Sequence, residues 1–342
     1  MKDSTYKDVR DSLLERRSAL SDWMTEAPPE EKAIVLGPAE EPAVAAHLAS
    51  LDESIAKSEA GTLGLCTVCH DYVDSSRLEV DYTASVCLDH LSPEEAIGLE
   101  RELSLAQTVQ RSFMPQVEPR IPGLEVAAFT RPAQFLGGDY FDFVNFASGA
   151  YGLVVGDVAG HGVSASLHMA SLQALLHAIV PTLDSPREAV SQIHRLFVHN
   201  SHYPTFVTFF LAAYVASTRN LRYCNAGHNP PLLVRGEGNR RPRIEWLVPT
   251  GAAIGLVEKG EFGEGNLILT PGDVLVLYTD GVVEAADPRG DLFGIDRLEE
   301  LVVSVSTSSP REVVRAVTHG LEAFVGGEAL SDDTTLVVAH VT

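Results

Sequence analysis

The sequence predicts an α+β sandwich with helices set in blocks, preceded by a helical arm and a small cysteine-rich segment. Three observations predict it. Short runs rich in Val, Leu, Phe and Tyr recur from Leu124 onward: Leu124–Thr130, Tyr151–Val155, Phe206–Ala216, Leu221–Cys224, Leu267–Leu269, Val274–Tyr278 and Thr335–Val341. Helical stretches stand between groups of these runs rather than after each one, which favours segregated sheets and helices over βαβ alternation. One runs from about Val163 to Ile179, with Leu172, Leu175, Leu176 and Ile179 at helical spacing; others start near Ser185-Pro186-Arg187-Glu188 and Pro310-Arg311-Glu312. The third observation is a change of composition: the chain is charged and helix-prone up to about residue 60, and three of its four cysteines crowd the next segment.

At 342 residues the chain has room for two domains. The formal charge of −22 argues against non-specific binding to nucleic acid or anionic lipid. No uninterrupted apolar run approaches the ~20 residues of a membrane span. Met1-Lys2-Asp3-Ser4 opens no secretory signal. These features read as a soluble, cytoplasmic protein with no membrane or nucleic-acid partner.

Residues 1–60 form the arm. Val9, Leu13 and Leu20 mark one short amphipathic helix ending before Pro28-Pro29, and Val44, Leu48, Leu51 and Ile55 lie on one face of a second, which Gly61 and Gly64 stop. The pair can form a hairpin or remain a solvated arm, because isolated helices of this length are marginal. Residues 61–91 carry Cys66, Cys69, Cys87 and His90 with the spacing C-x2-C-x17-C-x2-H. Four such ligands in two close pairs close a tetrahedral shell around one structural Zn²⁺, replacing a core that so short a segment cannot build. Residues 92–116 are a helical linker. Ser92-Pro93-Glu94-Glu95 reads as an N-cap, a first-turn proline and a capping box. Ala96, Leu99, Leu103, Ala106, Gln110 and Phe113 then follow a heptad-like rhythm up to Pro115. The 92–114 helix is thus either a homodimerising coil or a connector packed on its own domain.

The remaining segment, 117–342, carries the chemistry. Asp139 follows two glycines in Gly137-Gly138-Asp139-Tyr140-Phe141-Asp142. Asp157 ends a strand in Gly156-Asp157-Val158-Ala159-Gly160-His161-Gly162, Asp280 leaves the strand Val274–Tyr278, and Asp332-Asp333 precede the last strand. One such aspartate is most simply a turn residue. Several at successive strand ends make a set of hard oxygen ligands, suited to two Mg²⁺ or Mn²⁺ ions acting on a phosphoryl group. His161 and His228 are read as general acids, metal ligands or loop-fixing groups, the last favoured for His228; Cys224 is read as a packed side chain.

Two resemblances sharpen this. Gly61-Thr62-Leu63-Gly64-Leu65-Cys66, with Arg77-Leu78-Glu79 between the ligand pairs, resembles the TraR/DksA zinc finger, departing from it in His90 where that family usually has cysteine. Members of that family bind RNA polymerase. From about Glu102 onward the chain resembles the bacterial PPM/PP2C-type serine/threonine phosphatases of the SpoIIE and RsbU group. The matching motifs are Leu105-Ala106-Gln107-x-Val109-Gln110-x-Ser112-Phe113-x-Pro115, Arg131-Pro132-Ala133, the Asp139 and Asp157 motifs above, Asn225-Ala226-Gly227-His228-Asn229-Pro230-Pro231, Leu277-Tyr278-Thr279-Asp280-Gly281-Val282-x-Glu284-Ala285 and Asp332-Asp333-x-Thr335. Gly137-Gly138-Asp139 is also similar to a GGDEF cyclase signature, which has no place for the other aspartate motifs.

The phosphatase resemblance implies a PP2C-like β-sandwich flanked by helices and two Mn²⁺ or Mg²⁺ ions. It implies Asp157 as the bridging ligand, the Val158 carbonyl as a further one, and Asp280 and Asp332 as supports. Asp333 is the second choice at that last position, and Asp139 contributes directly or through a neighbour. The implied nucleophile is a metal-bridging water, and the implied substrate is a phosphorylated STAS-type anti-sigma-factor antagonist in a partner-switching pathway. The arm is then regulatory, acting through the 92–114 helix on the metal-site loops. The other expectation is a transcription-associated adaptor that binds RNA polymerase through the finger and keeps the phosphatase fold as a scaffold.

Overall fold

A computed structural model of the chain describes residues 10, 13–14, 17–18, 20–22, 24–25, 41–73, 78, 82–160, 162–200, 205–236, 242–327, 330 and 332–342. They fall into two units, Met1–Glu102 and Leu103–Thr342.

Among the described residues of the second unit, ten strands form two five-stranded antiparallel sheets. They are β1 (Leu124–Arg131), β2 (Tyr140–Asn145), β3 (Tyr151–Val158), β4 (Val207–Val215), β5 (Asn220–Ala226), β6 (Leu232–Arg235), β7 (Arg243–Trp246), β8 (Gly265–Ile268), β9 (Val274–Tyr278) and β10 (Thr334–Val341). One sheet has the order β1-β10-β9-β6-β7, the other β2-β3-β4-β5-β8. The strand period of two explains how they stack. Along β4, Phe210, Ala212 and Tyr214 face the opposite sheet, where they join Val126, Leu277 and Val337. Phe209, Leu211 and Ala213 face outward, onto helices. Buried on both faces, β4 reads as one continuous apolar run.

Helices cover both outer faces. The α1 helix (Glu41–Glu59) belongs to the first unit, and α2 (Pro93–Ser112) runs across the division between units. The others are α3 (Gly162–Ile179), α4 (Pro186–Asn200), the single turn α5 (Asp280–Val283), α6 (Gly294–Ser304) and α7 (Pro310–Val325). Met169, Leu172 and Leu176 of α3 and Val190 and Ile193 of α4 pack on the β3–β4 face. Leu298, Val302, Val313 and Val317 of α6 and α7 pack on β9 and β10. The stretch Gly162–Thr182 has the length and apolarity of a membrane span, with a mean hydropathy of 1.4. Met169, Leu172, Leu176 and Ile179 of that stretch are buried in the helix–sheet core. The α7 helix starts at a capping box, with the Ser309 N–H donating to Glu312 Oε2 at 2.9 Å behind Pro310. Ser92 and Glu95 form the predicted box of α2, Ser92 N–H to Glu95 Oε2 at 3.0 Å and Glu95 N–H to Ser92 Oγ at 3.3 Å.

In the first unit the described residues between 10 and 25 are helical. Leu13 is buried with Leu51 of α1 and with Leu63, and Leu20 and Ile55 flank them. Arg17 Nε donates to Asp52 Oδ1 at 2.8 Å. Among the described residues, these helical positions pack on α1 through Leu13, Leu51 and Leu63. Val9, Pro28-Pro29, Arg77 and Glu79 lie outside the described residues.

The structure departs from the sequence reading in five elements. β2, β6 and β7 are strands, and Asp280–Val283 and Gly294–Ser304 are helical, none of them read from the sequence. β3 extends to Val158, so Asp157 sits inside the ladder opposite Thr208 rather than beyond its end. For the strands the cause is the same throughout: short or glycine-interrupted segments pair because a neighbour supplies hydrogen bonds, a non-local contribution that local pattern does not carry.

Leu172 is fully buried between α3 and the sheet. Leu172→Ala is expected to lower unfolding free energy by about 2–5 kcal/mol, read from the urea midpoint.

Candidate active site

The site is built from the ends of both sheets. Asp139 immediately precedes β2, Asp157 is the penultimate residue of β3, Asp280 opens α5 just after β9, and Asp332 and Asp333 lead into β10. Pairing of β10 with β9 sets Thr335 beside Thr279: the Thr335 N–H donates to Thr279 Oγ1 at 2.9 Å. That hydroxyl in turn donates to Asp139 Oδ2 at 2.8 Å. One short polar chain thus ties the two sheets together under the site.

The two neighbouring carboxylates, Asp332 and Asp333, are used differently. Asp333 is buried, and both its oxygens accept backbone N–H groups, Oδ1 from Ala133 at 2.7 Å and Oδ2 from Gly138 at 2.6 Å. Asp332 is exposed, and its Oδ1 accepts the Asp333 N–H at 2.8 Å. Asp142, from the same motif as Asp139, is occupied elsewhere. It accepts from the Tyr140 hydroxyl and from Phe143 N–H at 2.6 Å, and it pairs with His177 Nε2 at 2.6 Å.

Electrostatics bind the set together. Burial, and then the charges of Asp280, Asp332, Asp333 and Glu284, push the Asp157 carboxyl up to about 7. Burial, with Asp332 and Glu284, pushes Asp280 up to about 6, against a stabilising Gly281 N–H. Asp139 is held well above the usual carboxylate range by burial and by Asp157, with threonine hydroxyls pulling the other way. Asp333 is raised by burial, opposed by its backbone donors. Like charges that hold one another protonated form a site a cation would stabilise. A Cβ on Gly138 would stand 2.8 Å from the Val158 carbonyl oxygen, so only glycine keeps that oxygen open to approach. Carboxylates plus a carbonyl are hard donors, fitting Mg²⁺ or Mn²⁺.

Glu284 escaped the sequence reading although it stands within the Asp280 motif. The available signal was its position four residues after Asp280, which a helical turn brings to the same side. The Glu284 N–H donates to the Asp280 carbonyl at 2.8 Å, closing that turn.

His228 is almost fully buried, and burial pushes its imidazole down to about 4. Its backbone N–H donates to Asn225 Oδ1 at 2.8 Å and its Nδ1 is hydrogen bonded to Thr208 Oγ1 at 2.8 Å. A neutral, enclosed ring of this kind fixes a turn. His161 lies outside the described residues. Cys224 is buried, and burial raises its thiol to about 11, consistent with a packed side chain.

A second cluster lies in the first unit. Ligand atoms of Cys66, Cys69, Cys87 and His90 all lie within 4.8 Å of one another; among the described residues no other group of three or more such side chains is so tight. Cys69 and Cys87 sulfurs are 3.7 Å apart, and Cys87 Sγ is 3.0 Å from His90 Nδ1. Backbone N–H groups of Cys69 and Cys87 push the Cys66 thiol down to about 6. Burial and the other two thiols push Cys87 up to about 11. Three thiols and an imidazole in so small a space fit a tetrahedral soft-metal shell with no position left for water.

Comparison with known proteins agrees with this architecture. The profile of the family described as Stage II sporulation protein E (SpoIIE) matches residues 147–342. Protein IcfG of Synechocystis sp. is 26% identical over 278 residues, covering 73% of this chain; the chain spans only 43% of IcfG. Phosphoserine phosphatase RsbU of Bacillus subtilis is 27% identical over 240 residues, covering 70% of each chain. The SiaA-PP2C domain of Pseudomonas aeruginosa superimposes with a TM-score of 0.64 at 22% identity, covering 73% of this chain and 99% of that domain, which establishes the fold.

The raised carboxylates make metal-free stability depend on pH. The folded chain holds protons on Asp157 and Asp280 that the unfolded chain has released above about 4, so stability falls as pH rises from about 4 through the folded values of about 7 and 6. Chelated protein is expected to melt at a lower temperature at pH 8 than at pH 5, and Asp157→Asn to flatten that slope. A thermal melt series in EDTA checks this.

Proposed function

The chain belongs to the SpoIIE family of PP2C-type phosphatases, and from that premise we propose that it is a metal-dependent phosphatase of phosphoserine or phosphothreonine in a regulatory protein. One observation carries the reading: Asp139, Asp157, Asp280 and the pair Asp332-Asp333, from separate parts of the chain, stand at strand ends that the two sheets bring together, with Thr279 bonded to Asp139 and Gly138 to Asp333.

Asp157, the Val158 carbonyl, Asp280 and Asp332 would hold two Mn²⁺ or Mg²⁺ ions. When bound, such ions neutralise phosphoryl oxygens and lower the pKa of an attacking water. The remaining residues set this up. Asp333, with an N–H on each oxygen, shapes the loop that carries Asp139 rather than competing with the exposed Asp332. Thr279 aims Asp139 from below. Gly138 keeps the backbone clear of the Val158 oxygen. His228, neutral and enclosed, holds the turn after β5 and takes no proton in the reaction.

The substrate is a phosphorylated STAS-type protein in a partner-switching pathway, a reading supported by the family resemblance and by a site that opens to solvent at Asp332. The segments are an arm (1–60), a finger (61–91), a linker (92–116) and the phosphatase domain (117–342), with the arm regulatory. Cys66, Cys69, Cys87 and His90 hold one structural Zn²⁺. Free thiols in such a shell fit a reducing compartment, the cytoplasm. The 92–114 helix supports a homodimer through Leu105 and Val109, 65% and 47% exposed and one turn apart, and not through the inward-facing Gln110 and Phe113. The adaptor reading gives no reason for a full set of costly carboxylates.

Full-length protein is expected to release phosphate from p-nitrophenyl phosphate and from phosphorylated STAS proteins only with Mn²⁺ or Mg²⁺. Asp157→Asn should lower kcat/KM roughly a thousandfold, about 4 kcal/mol in the barrier; retention of wild-type activity would refute the site. Metal analysis should find about one zinc per chain that survives dialysis and is lost in Cys66→Ser.

A further inference from the structure

The α2 helix ends against the active-site loop through one residue. Gln110 is the only buried residue of that helix, at 8% exposure. Burying a carboxamide costs stability unless both of its ends are bonded. Here both are, and to the same residue. Gln110 Nε2 donates to the Gly137 carbonyl at 2.6 Å, and Gln110 Oε1 accepts the Gly137 N–H at 3.3 Å. Among the described residues, no other hydrogen bond holds these two backbone groups.

The two residues after Gly137 give the clasp its consequence. The Gly138 N–H donates to Asp333, and the Asp139 side chain accepts from Thr279. A Cβ on Gly137 would stand 2.8 Å from the Asp333 carboxyl carbon, so the loop already sits as close to that carboxylate as a backbone can. A cavity of about 270 Å³, lined by Gln107, Gln110, Phe135, Gly137, Asp139 and Asp333 among others, lies against the start of the loop. Gly137 therefore has space to shift into, and its hydrogen bonds among the described residues are those to the carboxamide. Phe113 and Met114, just beyond, pack against the core and fix the end of the helix.

We propose that Gln110 is a positioning residue of the phosphatase centre: its two hydrogen bonds to Gly137 hold the Gly137-Gly138-Asp139 loop in the geometry that sets Asp139 and Asp333. This deepens, and rests on, the phosphatase reading. It also gives the linker helix a physical means of regulation. A rotation or axial shift of α2 by a fraction of a turn would separate the carboxamide from Gly137 and remove that support from the loop.

The test compares full-length wild type with Gln110→Leu, Gln110→Glu and Gln110→Ala. Leu keeps the volume and loses both hydrogen bonds; Glu keeps the volume and the acceptor but loses the donor. Three readouts are used: Mn²⁺ affinity by calorimetry, amide hydrogen exchange at 137–139, and kcat and KM for p-nitrophenyl phosphate. The expected result for Leu and Ala is Mn²⁺ binding weakened about tenfold and exchange at 137–139 at least tenfold faster. In the same two variants kcat should fall ten- to a hundredfold while KM stays within about twofold. Glu should fall between these variants and wild type. Variants that lose thermal stability but keep wild-type Mn²⁺ affinity and exchange would overturn the proposal and leave Gln110 a packing residue. If Ala and Leu do not fold, Glu decides, and wild-type behaviour of Glu in all three readouts overturns it. If wild type itself shows no Mn²⁺-dependent hydrolysis, the phosphatase reading falls, while calorimetry and exchange still decide the role of Gln110.

Discussion

Carboxylates that repel one another are gathered at one end of a hydrophobic sandwich, and much of the local structure exists to hold them there. Asp139 and Asp333 are buried, Asp157 and Asp280 half-buried, and each charge makes the next harder to form. A chain would relax away from such an arrangement unless its backbone were anchored. The anchors are strand ends whose ladders run deep into the core. β9, with all five residues buried, delivers Asp280; β10 delivers Asp333; β3 delivers Asp157. The polar groups nearby then divide the labour. Thr279, Thr335 and the N–H groups of Ala133 and Gly138 ease Asp139 and Asp333, the two most buried carboxyls of the set.

The two candidate metal sites solve opposite problems. In the Cys/His cluster the ligands come as two close pairs, so local turns build most of the shell, and a bound ion would complete a segment too small for its own core. In the carboxylate site the candidate ligands span residues 157 to 332, so the fold must exist first. The donors differ in kind as well. Thiolates and imidazole in a closed shell suit permanent retention, whereas oxygen donors on an open rim suit ions that keep water and take part in chemistry.

Much of this is legible in the sequence alone. The apolar run in β4, the paired cysteines, the helix starts at Ser92 and Pro310 and the Gly-Asp motifs are local signals with local causes. Other features are not. β6 and β7 are four-residue strands that exist because β9 and each other are there to pair with. The adjacent Asp332 and Asp333 cannot be told apart by composition, and only the positions of Ala133 and Gly138 separate the exposed carboxylate from the engaged one. Gln110 reads in the sequence as one more position of a heptad seam, because the helical period identifies a face and not what lies opposite it.

The amino-acid sequence by itself determined the class of fold, the order of the motifs and the chemical nature of both ligand sets, since these depend on residue type and short spacing. The tertiary structure decided which carboxylates share a charge environment, which of a neighbouring pair is free, and where the linker helix meets the active-site loop. Those are contacts between residues far apart in the chain. They depend on how two sheets stack and twist together, and that geometry emerges only when the whole core packs.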